Sequence, residues 1–473
     1  MSAQWGDITA KEIAEATGGH LFRGSGETAF TCLGTDSRQV VPGQIFWALK
    51  GERHDGHDFA AEAIRGGSAG VVIQTERSQE IPSGAQAAII AVTDTLEALG
   101  QLAMWWRHRY PIPVAVITGS VGKTTTKEMA STILDLGRKT LKNEGNFNNL
   151  VGLPLTLFQL GEEHRTAVLE MGMNRRGEIA RLTEIADPDV GLITNVARAH
   201  LEGLGDLMGV ARAKVELLEK MSSEGLAILN GDDEVLMKAA SPFKRRIMTY
   251  GTSSTNDLRG GAIRNLGREG ISFDLCHQGK TIPIRLRIPG YQNVFNALGA
   301  AAIALALQES QEHVAEGLFK FQGVKGRFTL SVLPNGAALV DDTYNSNPLS
   351  LKAALQSLQS LSSERGRVIV GLGEMRELGE ETERAHREAG EMVAELGADF
   401  FVVMGKHGKD MIEGALRKGL SHGRTALAAS HEEMASIIRE RWREGDLVFL
   451  KGSRRVGLER VAHLLSNSGV KEA

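Results

Sequence analysis

Cysteine is nearly absent. Cys32 and Cys276 are the two in 473 residues, far apart and in no metal-type spacing. That usage fits a reducing compartment and offers no disulfide framework. Long apolar runs are missing too. The longest, "ALGAAAIALAL" at 297–307, is too short and too Ala-rich to span a bilayer, so no stable membrane insertion is expected. The first residues, "MSAQWGDITAKEIAEATGG", lack a basic start and an apolar core, so no signal peptide is expected and the location reads as cytoplasmic. A positive excess is also lacking. The formal net charge is −4, so no global field draws in polyanions, and no nucleic-acid partner is expected. Any phosphate site must be built from local groups. Internal repeats and low-complexity tracts are absent as well.

What is present is ordinary for a globular chain: 42% apolar and 24% charged residues, over a length that suggests about three domains. One stretch stands out, "VITGSVGKTTTKE" at Val116–Glu128. The apolar "VAVI" ahead of it reads as a buried strand, and "TTKEMASTILDLG" after it as an amphipathic helix stopping at Gly137. Between them, Thr118, Gly119, Ser120, Val121, Gly122, Lys123, Thr124 and Thr125 form a candidate phosphate loop. Glycines let backbone N–H groups converge on an anion, the helix dipole adds positive potential, Lys123 adds a charge, and the Thr124 hydroxyl suits magnesium. The usual loop spreads its glycines over six positions. Here they are three apart, a compact variant.

Strand-like and helical runs then alternate: "TAVLEMG", "VGLITNV", "LAILN", "RIMTYG", and, after "GVKGRF", "AALVDD", "RVIVGLG", "FFVVMG" and "DLVFLKGS". Such alternation predicts α/β domains with parallel, doubly wound sheets. Shorter pieces, "GQIFWAL" and "AGVVI", mark a first unit, and "RHRYPIP" reads as a linker out of it. The expected division is a smaller N-terminal α/β domain at 1–108, a central P-loop nucleotide-binding domain at 109–323, and a C-terminal Rossmann-like domain at 324–473. Ligands of such sheets bind beyond the carboxyl ends of the strands. Glu170 ends "AVLE" and His200 follows "GLITNV", so a lysine, a hydroxyl, a carboxylate and an imidazole share one sheet edge. Taken singly, such a Glu is usually solvated and such a His usually packs or caps.

Several further segments carry a resemblance: "NEGNFNNLVGLPLTL", "VLEMGMNRRGEI", "ITNVARAHLEGLG", "RAKVELLE", "IPGYQNVFNALGAAA", "VKGRF", "VDDTYNSNPLSLKAAL", "GLGEMRELGEE" and "KGSRRVGLERV". With the phosphate loop, and with "TDSRQVVPGQIFWALKGERHDGHDF" near the start, they are similar in kind and order to the Mur ligases of peptidoglycan synthesis. The resemblance covers nearly the whole chain. Within the family, "DDTYNSNP" with "LGEMRELGE" is most similar to the ligase that adds D-Ala-D-Ala to UDP-N-acetylmuramoyl-tripeptide.

The resemblance implies an ATP-dependent amide-forming ligase working through an acyl phosphate, with those two compounds as partners, two Mg2+ ions, and a monomeric state. It implies that Lys123, His200 and Lys214 are catalytic. It places one magnesium on Thr124 and Glu170 and a second on His200 and a carbamylated Lys214, although spacing alone makes Lys214 a solvated helix lysine. Asn293 and Asn296 resemble adenine-side asparagines and also fit a helix cap. Arg327 and Asp342 resemble ATP contacts from the third domain. Tyr344, Asn345 and Asn347 resemble the place where the dipeptide meets the γ-phosphate. Ser37 and Arg38 resemble a uridine-nucleotide site in the first domain, and Asn148 and Asn149 contact the sugar-nucleotide or shape its loop. The chain departs from the family pattern at Val121, Arg175-Arg176, Ala197 and Val215, none of them a proposed ligand. A sister ligase would carry "DNPR", which is absent here. A folylpolyglutamate synthase would lack so large a first domain. A non-catalytic ATP switch predicts loss of Lys123, Glu170, His200 or Lys214, and all four are present.

Overall fold

A computed structural model describes residues 3–84, 86–198, 201–362 and 366–467. Among these residues the chain builds three sheets. The first holds β1 (Ala3–Thr9), β2 (His20–Arg23), β3 (Ala29–Gly34), β4 (Gln44–Trp47), β5 (Gly70–Gln74) and β6 (Ala88–Val92) in the order 1-3-4-5-6-2. Its four inner strands are parallel, and β1 and β2 close the edges antiparallel. The helix Thr95–His108 leaves this sheet, with Asp94 accepting from the backbone N–H of Leu96 and Glu97, both at 2.8 Å.

That helix joins the first sheet to the second and contacts both. Arg107 donates to the carbonyls of Ala186 and Asp187 at 3.1 and 3.3 Å. Trp5 of β1 meets Phe158 edge-on at 4.8 Å and Trp106 at 6.1 Å. One hydrophobic cluster runs from the first sheet into the second. The segment expected as a linker is therefore a short, pinned connection.

The central sheet holds β7 (Val114–Thr118), β8 (Thr140–Lys142), β9 (Thr166–Glu170), β10 (Val190–Ile193), β11 (Leu226–Asn230), β12 (Arg246–Gly251), β13 (Leu258–Asn265), β14 (Ile271–His277) and β15 (Lys280–Leu286). The order is 15-14-13-12-11-10-7-9-8. Strands β7 to β12 are parallel, and β7, β9 and β10 at the centre are buried along their whole length, because helices cover both faces. The hairpins β13–β14–β15 add an antiparallel extension that strand–helix alternation does not predict. Its signal is period two: Ile271, Phe273 and Leu275 are buried, while Ser272, Asp274 and Cys276 are not. Strand β7 lies between β9 and β10, so the loops after all three emerge side by side.

The third sheet holds β16 (Thr329–Val332), β17 (Ala338–Asp342), β18 (Val368–Gly373), β19 (Phe400–Met404), β20 (Thr425–Ala428) and β21 (Leu447–Lys451), ordered 16-17-21-18-19-20. All pair in parallel except β16, and separate apolar clusters fill the two faces. It meets the central domain through Ser357 Oγ on Gln292 Oε1 at 2.5 Å and through the Arg198–Glu381 ion pair at 3.4 Å. Among the described residues, no helix is long and apolar enough to cross a membrane.

Candidate active site

The loop after β7 is closed by two glycines whose backbone conformation and close neighbours disfavour any side chain. Gly119 has φ 146°, and a Cβ there would lie 1.8 Å from Thr194 Oγ1. Gly122 has φ 89°, and a Cβ there would lie 2.4 Å from Asn296 Oδ1. The loop after β10 props this turn from beside it. Thr194 Oγ1 donates to Val121 O at 2.6 Å, Asn195 Nδ2 to the same carbonyl at 2.9 Å, and Val121 N to Asn195 Oδ1 at 3.0 Å. Ser120 N donates to Asn195 O at 3.0 Å, and Ala197 N to Ser120 Oγ at 2.9 Å. The N–H groups of Ser120 and Val121 thus bond the neighbouring loop. The anion-facing donors begin one residue later, at the start of the helix Lys123–Leu134, whose cap Gly122 offers no side chain. Thr118 and Thr125 are buried beneath the loop.

Glu170 ends β9 and is 3% exposed. Thr124 Oγ1 donates to its Oε2 at 2.7 Å, and Asn148 Nδ2 to its Oε1 at 2.8 Å. Asn143, just past β8, acts as a strand partner for its backbone. Asn143 Oδ1 accepts from Glu170 N at 2.8 Å, and Asn143 Nδ2 donates to Glu170 O at 2.8 Å and to Phe147 O at 2.9 Å. From the third domain, Arg327 Nη2 donates to Thr124 Oγ1 at 3.1 Å. A hydroxyl, a carboxylate, a guanidinium and a helix N-terminus therefore converge on one point. Glu170 and Thr124 are hard oxygen donors, as magnesium requires. Among the described residues no cluster of three or more His, Cys, Asp or Glu forms a cage. The pair suits an ion whose remaining ligands are phosphate oxygens and water.

Lys123 Nζ donates back to Gly119 O at 2.8 Å. Burial pushes its ammonium below the ordinary lysine range; Glu170 opposes that shift and Arg327 adds to it. Lys214, in the helix Leu207–Lys220, is 1% exposed. Burial pushes its ammonium well below the ordinary range, and the Lys123 charge adds to the effect. It is thus not the solvated lysine that helix spacing suggests. His200 lies outside the described residues.

The third-domain residues divide by role. The Tyr344 ring packs against two guanidinium groups, that of Arg327, 3.9 Å from its ring centre, and that of Arg454, at 5.0 Å. Asp342 bonds Lys451 Nζ at 2.6 Å and Phe328 N at 3.1 Å. Asn345 is exposed, and its carbonyl accepts from Lys451. Asn347 caps the helix Pro348–Ser362, accepting from Ser350 N at 2.8 Å. Asn149 likewise caps the helix Gly152–Leu157, accepting from Val151 and Gly152 N–H at 3.1 and 2.8 Å. Asn293 Nδ2 donates to Pro289 O at 2.7 Å, while Asn296 leans on the loop, 3.4 Å from Thr126 Oγ1. In the first domain, Ser37 is half-buried and Arg38 exposed. The Arg38 side chain folds onto Asp36 at 2.7 and 2.8 Å and holds that carboxyl down to about 2. The site thus gathers the phosphate loop, Glu170, Asn148, Asn296, Arg327 and Tyr344, and leaves Ser37 and Arg38 in a separate domain. Sequence reasoning passed over Thr194, Asn195, Asn143 and Lys451. Their signal was position: each lies at or just past the carboxyl end of a strand.

This architecture has known counterparts. Residues 29–106 match the model of the Mur ligase family catalytic domain, 117–304 that of the Mur ligase middle domain, and 326–454 that of the Mur ligase glutamate ligase domain. The chain is 36% identical over 461 residues to the UDP-N-acetylmuramoyl-tripeptide--D-alanyl-D-alanine ligase of Bacillus subtilis (strain 168), across 97% of this chain and 98% of that one. It superposes on a crystal structure of MurF from Acinetobacter baumannii with a TM-score of 0.88 at 33% identity, covering 98% and 99% of the two chains. For the MurF ligase of Thermotoga maritima in complex with ADP, the TM-score is 0.80 at 27% identity, over 92% and 96%. Agreement on this scale, end to end and in all three domains, leaves one conclusion: the chain belongs to the Mur ligase family.

Proposed function

We propose that this chain is an ATP-dependent ligase that joins D-Ala-D-Ala to UDP-N-acetylmuramoyl-tripeptide, releasing ADP and phosphate, in peptidoglycan synthesis. The observation that carries this reading is the meeting of two domains at Thr124. The helix start, Lys123 and Glu170 come from the central domain, and Arg327 reaches them from the third. That is what transfer of a γ-phosphoryl to a carboxylate needs, because the two reactants repel and the catalyst works by positioning and neutralisation. The tripeptide carboxylate oxygen attacks the γ-phosphorus as the bond to the β-phosphate oxygen breaks. The dipeptide amine then attacks the acyl carbon, loses a proton, and phosphate leaves with its electron pair.

Thr124 and Glu170 would hold a magnesium ion, which supplies charge neutralisation at the phosphates when bound. Lys214 in carbamylated form, with His200, would hold a second. Burial and the neighbouring Lys123 favour the neutral amine that reacts with CO2. Ser37 and Arg38 would meet the uridine nucleotide and Asn345 the dipeptide. Asp342, Asn347, Asn149 and Asn293 would act by shaping the segments that carry the contacts. The test is ADP release and pentapeptide formation with ATP, UDP-N-acetylmuramoyl-tripeptide and D-Ala-D-Ala. Turnover should need all three. Equal turnover with D-glutamate or meso-diaminopimelate as the amine would overturn the assignment.

Asn148 and Asn149 separate two roles. Asn148→Ala releases one oxygen of Glu170 and should raise the magnesium concentration for half-maximal turnover several-fold, with thermal stability nearly unchanged. Asn149→Ala removes a cap and should cost about 1 kcal/mol of stability with turnover nearly unchanged. Magnesium titration and thermal melts of both variants check this, and the reverse pattern would show the roles exchanged.

A further inference from the structure

Lys451 is a buried charge that the reaction above does not use. It ends β21, is 2% exposed, and stands in register opposite Asp342, the last residue of β17. Its ammonium makes two bonds, to Asp342 Oδ2 at 2.6 Å and to Asn345 O at 2.9 Å. Each leads to a group at the site. The other Asp342 oxygen accepts from Phe328 N at 3.1 Å. Phe328 has φ 54°, a left-handed conformation that a bulky aromatic residue adopts only when its surroundings enforce it. Arg327 precedes that turn and reaches Thr124 from it. Asn345 follows Tyr344, whose ring lies under the Arg327 guanidinium at 3.9 Å and whose N–H donates to Gly326 O at 3.1 Å.

We propose that Lys451 is a positioning residue: its ammonium locks Asp342 and Asn345 together, so that the Phe328 turn and Tyr344 aim Arg327 at the phosphate loop as one unit. This rests on the reading of Arg327 as a phosphate-side group. Burial pushes the Asp342 carboxyl up and the Lys451 ammonium down, and each group offsets part of the other's shift. An ion pair kept merely for packing would not need its second carboxylate oxygen on a strained turn or its second proton on the Tyr344–Asn345 segment.

The test is a double-mutant cycle between Lys451→Met and Arg327→Ala, read as kcat in saturating substrates. Lys451→Met keeps the stem and removes the charge. It should lower kcat about tenfold or more, by misplacing a group that must sit within a fraction of an ångström. In the Arg327→Ala background the same change should cost less than about twofold, because the residue it acts through is gone. An unpaired buried carboxylate can unfold a domain. The double variant Lys451→Met/Asp342→Asn, in which neither charge is left unpaired and the amide oxygen still accepts from Phe328 N, is therefore also measured with and without Arg327→Ala. Independent, multiplying losses would overturn the inference, as would wild-type kcat in Lys451→Met beside an impaired Arg327→Ala. Wild-type kcat in Arg327→Ala alone would sink the underlying site reading and the inference with it.

Discussion

Lys123→Ala should fold like the wild type and lose about 10³-fold of its turnover, or about 4 kcal/mol of transition-state stabilisation. The fold should survive because Lys123 stands in the first turn of its helix, where alanine is at least as good a helix former. The turn itself is held by Gly119, Gly122, Thr194 and Asn195; the substitution removes only the Lys123 bond to Gly119 O and leaves the contacts from Thr194 and Asn195 in place. Turnover should fall because Lys123 brings a full charge to a half-buried site, and a charge there is screened far less than in water. Arg327 and the helix start remain, so some activity persists. The measurement is kcat beside circular dichroism and a thermal melt. A folded variant with near-wild-type kcat would overturn the assignment of the loop to the transferring phosphoryl.

Lys214→Ala should lose most of its activity, and acetate or formate should restore part of it. A buried ammonium beside bound cations repels them, whereas a carbamate formed from CO2 and the neutral amine presents oxygen donors instead. Removing the side chain leaves room that a small carboxylate fills. Lys214→Arg should be inactive without rescue, because a guanidinium keeps its charge and cannot be carbamylated. Stability gives an independent readout. Burial lowers the folded-state pKa of Lys214 below its unfolded value, so the unfolded chain binds more protons and stability rises with pH. Without CO2, Lys214→Met should therefore melt above wild type at neutral pH, the gap closing as pH rises toward about 10.4, the ordinary lysine value. Bicarbonate should raise the wild-type melting point and leave Lys214→Met unmoved. Full activity in Lys214→Ala without added carboxylate would make the residue a packing lysine and overturn the proposal of a second metal site.

These expectations draw unequally on sequence. The phosphate loop was legible because its chemistry is local. Two glycines, a lysine and a threonine between an apolar strand and a helix mean the same thing wherever they occur. Glu170 was legible as a strand-end carboxylate. Asn148 and Asn149 were not separable, since adjacent asparagines look alike in sequence. One bonds Glu170 and the other caps a helix because the folded backbone gives adjacent side chains different partners.

The sequence by itself determined the alternation of strands and helices, the parallel core of the central sheet, the anion-holding turn and the family to which those motifs are similar. Each of these is written in residues close together along the chain. Tertiary structure alone decided which distant residues complete the site. Asn195 props the loop because β10 lies beside β7, and Arg327 reaches Thr124 only because the third domain stands against the central one. Lys451 reads in sequence as the polar end of an apolar strand. Its partner Asp342 is set by the register of two parallel strands that a long stretch of chain separates. Parallel pairing joins strands through crossovers, so no local pattern records which strand ends will face each other.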